Sequence, residues 1–293
     1  MFRKKLLLIK LEIKKCLNKK LFWFVECFGC ALAVITSVMT YIKIYIPNQE
    51  RRLIILEETE NRWMMYHEWF ENGILEGWLG CNVFLPYNVV FFLLFPLLAT
   101  VPYGRSLHYE LNSGYAKQIF VKCKRSDYFI SKYIAVFFSG GIAVGIPLLV
   151  GLVTSACCLP AVGTDPLSLR ASVAYHNLWS DLYFEKPVLY ALIYIMVDFV
   201  YGGLFACLAL AVSGWCINGF IAVTFPFVLN TAFTKVISIN SVNMYSYVAG
   251  NFINPAQVDC SHNFMTVVVV AFFMFVICTA IYWINNRKYE LFT

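Results

Sequence analysis

Six long apolar stretches dominate this chain, at about 21–45, 81–103, 131–156, 187–211, 215–236 and 263–284. About 20 apolar residues in a row suffice to cross a bilayer as a helix. A water-soluble fold of 293 residues needs a more polar surface than a chain with 60% hydrophobic and 14% charged residues can supply. The sequence therefore predicts an all-α integral membrane protein with six transmembrane helices. No internal repeat and no long Pro/Gly-rich linker divides it, so residues 1–293 read as a single transmembrane domain. The basic start leads directly into a full-length span without a small-residue cleavage site, unlike a cleavable signal peptide.

The net charge of +6 is distributed as in a membrane protein and not as in a nucleic-acid groove. Eight Lys/Arg fall in residues 1–20, six between Arg105 and Lys132, and two in the tail at Arg287 and Lys288. These segments read as cytoplasmic, which places both termini on the inner face. Residues 2–20 carry Phe2, Leu6, Ile9, Ile13 and Leu17 at helical spacing. That pattern predicts an amphipathic helix lying in the interface, with its cations toward anionic headgroups. Residues 48–80, with Glu57, Glu58, Glu60, Trp63, Trp69 and Trp78, read as an outer loop resting on the interface through its tryptophans. A second outer loop covers 157–186, and residues 237–262 read as broken helices dipping into the outer leaflet.

Several chemistries find no support. There is no G-x-x-x-x-G-K-[ST] loop to cradle ATP phosphates, no H-E-x-x-H and no G-x-S-x-G. His67, His108, His176 and His262 fall in different loops. Glu57-Glu58-x-x-x-Arg62 and His108-x-x-x-Asn112 imitate motifs of intramembrane prenyl-protease-like enzymes, but the topology puts them on opposite faces of the bilayer. Cys27 and Cys30 lie inside an apolar helix and read as structural. Cys81, Cys157, Cys158 and Cys260 fall near outer span ends, where a disulfide between some of them is an open alternative.

Two acids fall within spans, Glu26 and Asp198. Intramembrane charge is costly and usually faces protein or water. Asp198 either lines a translocation path or a subunit interface, or bonds to Tyr194 or Tyr201 and holds helices together. Glu26 lies nearer the cytoplasmic end and is expected to reach interface water. Gly141-x-x-x-Gly145 in the third span offers a close helix contact.

The block from Gly104 to Lys132, GRSLHYELNSGYAKQIFVKCKRSDYFISK, interrupts this apolar pattern. It reads as a helix, a break at Gly114, a second helix, and a turn in which Ser126 or Asp127 caps the third span. Lys132 is expected to snorkel to the inner interface. Here the chain resembles the type-2 ABC exporter permeases. The resemblance rests on Glu110-x-x-x-Gly114, Arg125-Ser126, Tyr128-Phe129-Ile130 and Lys132. The basic LIKLEIKKCLNKKLFW start and the Asn286-Arg287-Lys288 tail add to it.

The resemblance implies the membrane half of a transporter. It would pair with a second permease, identical or different, and with soluble ATP-binding cassette ATPase subunits that hold ATP and magnesium; this chain itself would bind no cofactor and perform no catalysis. Residues Arg105, His108, Glu110, Gly114, Lys117, Arg125, Ser126 and Lys132 would form the coupling-helix block between spans two and three. Bacterial exporters of peptide antibiotics, drugs or lipids are similar in layout, although the 48–80 loop is longer than in compact members. The alternative class is a membrane sensor or assembly scaffold that uses this loop as a ligand surface.

Overall fold

The computed structural model describes residues 2–51, 73–160, 172–173, 177–240, 248–256 and 263–287. Glu57, Glu58, Glu60, Arg62, Trp63, Trp69, His67, His176, His262, Cys260 and Lys288 lie outside them, as does the Phe2 side chain. All regular structure among the described residues is helical. Helix α1 spans Phe2–Leu17 and α2 spans Lys20–Thr40, which runs on through a π-helical turn at Tyr41–Tyr45. Then come α3 (Ile74–Gly77), α4 (Tyr87–Thr100), α5 (Ser106–Asn112), α6 (Tyr115–Lys122) and α7 (Arg125–Cys158). Helices α8 (Ser180–Glu185), α9 (Pro187–Val212), α10 (Gly219–Asn240), α11 (Ala249–Phe252) and α12 (Phe264–Arg287) complete the order.

Among the described residues, five helices are long and apolar enough to cross a membrane: α2, α7, α9, α10 and α12. The second expected span, at about 81–103, differs. Helix α4 has 14 residues, which reach about 21 Å at 1.5 Å per residue, short of the roughly 30 Å hydrocarbon core. Non-helical residues 81–86, buried at Cys81 and Asn82 and open from Val83 onward, precede it in place of further helix.

Residues 73–82, of which 73–80 are expected in an outer loop and 81–82 at the start of the second span, form an enclosed hook. Trp78 is 0% exposed, and its indole N–H donates to the Leu148 carbonyl at 2.9 Å. This overturns the expectation that Trp78 rests on the interface. Irregular backbone away from water needs partners for its polar groups, and neighbouring side chains supply them. The Ser37 hydroxyl donates to the Gly77 carbonyl at 3.0 Å. The Asn88 amide donates to the carbonyls of Leu79 and Gly80 at 2.7 and 2.9 Å. The Asn82 amide donates to the Glu76 carbonyl at 2.6 Å and to the Thr40 hydroxyl at 2.8 Å.

The centre of the bundle is the crossing of α7 and α9. A Cβ on Gly140 would lie 2.6 Å from the Gly202 carbonyl, and one on Gly202 would lie 2.9 Å from the Gly140 carbonyl. The close contact thus pairs Gly140 with Gly202. Gly141 packs tightly on Phe199, whereas a Cβ on Gly145 would meet only Phe199, at an ordinary 3.5 Å. The expected Gly141/Gly145 pair is half right: one of its two glycines is sterically required. Phe91, Phe95, Val144, Leu148, Tyr201 and Phe205 fill the layers on either side. Helices α10 and α12 leave wide apolar faces outward, including Phe225, Phe233, Phe272 and Phe273.

Cys81, Cys157 and Cys158 are free thiols, so no disulfide joins those three. In the 237–262 region, α10 continues to Asn240 and the short α11 is buried, with Phe252 against Tyr201 at 5.1 Å between ring centroids.

Candidate functional site

The basic block folds as two short helices divided by a glycine. Gly114 follows α5 in the left-handed region, at φ +74°, where a residue with a Cβ is strained. Helix α6 then lays Ala116, Ile119 and Phe120 against the body and turns Lys117, Gln118 and Val121 outward, as helical spacing requires. Val121 is 88% exposed, an apolar side chain on a polar surface. Helix α7 begins at Arg125 with Lys124 at its cap and no side-chain cap hydrogen bond. The expected capping role of Ser126 or Asp127 is therefore not what the helix uses; Ser126 is exposed within its first turn. Arg125 holds its guanidinium 5.4 Å from the centre of the Phe120 ring.

Beneath this block lies a buried charge network. Lys132 does not snorkel to the interface as expected; it is 0% exposed. Its ammonium lies 2.8 Å from Glu12 Oε2 and 2.8 Å from Glu110 Oε1, and donates to the Tyr103 hydroxyl at 3.2 Å. Tyr103 donates onward to Glu12 Oε2 at 2.8 Å, and the Tyr128 hydroxyl donates to Glu110 Oε2. Lys15 pairs with Glu12 Oε1 at 2.7 Å and lies 3.7 Å from Glu110. All four carboxylate oxygens are thus engaged, and two carboxylates face two ammonium groups. A buried ion pair repays its desolvation only when its remaining hydrogen bonds are met, and these are.

The electrostatics follow from this geometry. Burial pushes the Glu12 carboxyl upward, but the Lys132 charge and the hydrogen bonds from Lys132, Lys15 and Tyr103 outweigh it and hold it below the ordinary carboxylate value. Burial would lower the Lys15 amine, yet its bonds to Glu12 and Tyr115 and the charge of Glu110 raise it overall. Burial, then Glu12 and Glu110, push the Tyr103 hydroxyl up, so it stays a donor.

The network joins four parts of the chain: α1 through Glu12 and Lys15, the 101–105 turn through Tyr103, α5 through Glu110, and α7 through Tyr128 and Lys132. Helix α1 is therefore anchored by a buried acid as well as by Ile13 of its apolar stripe, which packs against the same buried cluster. Leu6 and Leu17 of that stripe are exposed, while Glu12 and Cys16 are buried. On its far side α5 abuts the start of α10, where a Cβ on Gly219 would lie 3.3 Å from both Arg105 and His108. His108 itself is within 3.0 Å of the Asn112 amide. Among the described residues, no group of three or more His, Cys, Asp or Glu could hold a metal ion.

Of the residues singled out from sequence, Glu110, Gly114, Arg125 and Lys132 converge on this unit, with Arg105, His108, Lys117 and Ser126 on its surface or edge. Glu12 and Lys15, within the basic start, and Tyr128, within Tyr128-Phe129-Ile130, also belong to it although the resemblance gives them no role, and Tyr103 belongs to it without any motif that marks it. One signal is available: Glu12 is the sole acid among eight cations in residues 1–20.

Glu26 and Asp198 stand apart. Both are enclosed, at 4% and 0% exposure, and their carboxylate oxygens have no hydrogen-bond partner among the described residues. Glu26 does not reach interface water. Neither Tyr194 nor Tyr201 holds Asp198: the Tyr201 hydroxyl donates to the Val267 carbonyl at 2.6 Å, and Tyr194 packs on Tyr190 and Trp179. No family model, curated protein or solved structure matches the chain.

Proposed function

We propose that this chain is the membrane permease of an ATP-driven exporter of the type-2 ABC kind, working with a soluble ATP-binding cassette ATPase and a second permease. The observation that carries the reading is the Glu12–Lys132–Glu110 network. It makes the basic block a stiff extension of the third span, continuous with the interfacial helix, where a solvated loop would need no such anchoring. Coupling to a moving partner requires an element that transmits displacement without yielding, and a fully paired buried network supplies that stiffness.

In this reading the outward face of α6 and the adjacent turn, with Lys117, Gln118, Val121 and Arg125, meet the ATPase. ATP and magnesium are handled there, since this chain carries no phosphate-cradling loop. Displacement of the block passes to α7 through Lys132, to α1 through Glu12, and to α10 through the contact of Gly219 with Arg105 and His108. The transported molecule is amphipathic or hydrophobic, such as a peptide antibiotic, a drug or a lipid, and moves outward across a bacterial plasma membrane. Both termini lie on the ATPase side.

Purifying the native complex and identifying its subunits tests the assignment. A co-purifying nucleotide-binding ATPase, whose hydrolysis becomes uncoupled from transport when Arg125→Glu is combined with Gly114→Pro, is the expected result. Full coupling in that double variant refutes the role given to the block.

A further inference from the structure

A cleft of about 700 Å³ opens between the α1–α2 junction and α5. Lys15, Lys19, Lys20 and Arg105 line it, over an apolar floor that includes Leu21 and Pro102. Glu110 is the one acid at its wall. Within the network below, Glu12 and Glu110 balance Lys15 and Lys132, so Lys19, Lys20 and Arg105 are left over. Among the described residues these three form no ion pair; Lys19 lies over the Tyr103 ring at 4.4 Å, and Arg105 over Tyr109 at 5.7 Å. The Lys19 amine is held below its ordinary value, first by burial and then by the positive charge of Lys132. Three unmatched cations crowded around a cavity form a site for an anion.

We infer that this cleft binds the phosphate headgroup of an anionic phospholipid. The position selects a lipid over other anions. The cleft sits where α2 begins, and Trp23 and Phe24, at 59% and 71% exposure, lie two and three residues beyond its floor residue Leu21. Leu21, Phe24 and Phe28 share one helix face by their spacing, and Phe24 and Phe28 are exposed along it, giving acyl chains an apolar track away from the cations. A tryptophan at this level suits the headgroup boundary. The bound phosphate would tie Lys19 and Lys20 of the α1–α2 junction to Arg105 at the cap of α5, closing the joint from the outer side as Lys132 closes it from within. This requires only that the chain is a membrane protein and stands independently of the ATPase assignment.

The test uses the full chain in nanodiscs of phosphatidylcholine, with or without phosphatidylglycerol. Native mass spectrometry counts retained lipid, and thermal unfolding reads stability. The expected result is retained phosphatidylglycerol, with preference over phosphatidylcholine on the order of 100-fold for three cations, and a higher Tm. The K19Q/K20Q/R105Q variant should lose both, whereas K10Q/K14Q/K124Q, which removes equal charge outside the cleft, should keep both. Equal loss in the two variants overturns the site as mere surface attraction. So does a Tm rise given equally by inorganic phosphate in phosphatidylcholine discs. If an oligoglutamate peptide protects the chain and phosphatidylglycerol does not, the cleft takes an acidic protein segment and the lipid assignment falls.

Discussion

Lys132 of α7 and Glu12 of α1, 120 residues apart in sequence, meet at 2.8 Å with both side chains almost wholly enclosed. Removing one partner of a buried pair leaves the other charge stranded, whereas removing both can be nearly neutral. Lys132→Met should cost about 3–5 kcal/mol of stability, because it strands Glu12 and Glu110 together. Adding Glu12→Gln should recover part of that loss. A double-mutant cycle on thermal unfolding measures the coupling, and strictly additive losses would rule out the network.

Acid should loosen the same joint. The Glu12 carboxyl is held below its ordinary value of 4.5. A depressed carboxyl contributes stability that is complete above its unfolded value and is lost as pH falls through its folded one. Amide exchange in α1 should therefore stay slow at neutral pH and accelerate below about 4.5. The raised Lys15 amine acts in the opposite sense, with its contribution fading only above its ordinary 10.5. In Glu12→Gln the acid acceleration should shrink.

Gly114 is constrained by its backbone and not by space. Its φ is +74°, and a Cβ added there would meet nothing within 4 Å. Gly114→Ala should therefore cost roughly 1 kcal/mol, the strain of a left-handed residue with a side chain. Gly114→Asn, which tolerates the left-handed region, should cost less. Circular dichroism melts of the two variants rank them, and equal losses would mean that packing, not conformation, fixes the turn.

The α7–α9 crossing should respond oppositely. Gly140→Ala places a methyl group 2.6 Å from the Gly202 carbonyl, and overpacking of this kind costs about 1–3 kcal/mol. Gly145→Ala meets only an ordinary contact and should be tolerated. Thermal unfolding of both variants distinguishes this Gly140–Gly202 contact from a Gly141/Gly145 motif.

Asp198 has no partner for either carboxylate oxygen among the described residues. A buried polar group without a partner is costly, so Asp198→Leu, which leaves no polar atom unpaired, should raise stability by about 1–3 kcal/mol. A loss of stability would mean that Asp198 has an anchoring partner.

Much of this architecture is legible from the apolar runs and charge distribution alone. Long apolar helices, the amphipathic start, and the helix–Gly114–helix block all follow from local pattern. What escapes is non-local. Nothing near Lys132 in sequence indicates that Glu12 and Glu110 converge on it, so local pattern points to a snorkelling lysine. Trp78 sits in an ILEGWLGCN run whose apolar character is outweighed by the acids before it. Its burial depends on Leu148 and on Asn82 and Asn88, which satisfy the backbone of the hook, and no local signal encodes those partners.

The permease assignment is probed most sharply by photocrosslinking in native membranes from a benzoyl-phenylalanine placed at Val121, the 88% exposed apolar side chain of α6. The expected product is a covalent adduct with a soluble nucleotide-binding ATPase, identified by mass spectrometry and lost when Lys132→Met loosens the block. Adducts with only lipid, or with a protein that binds no nucleotide, would refute the assignment.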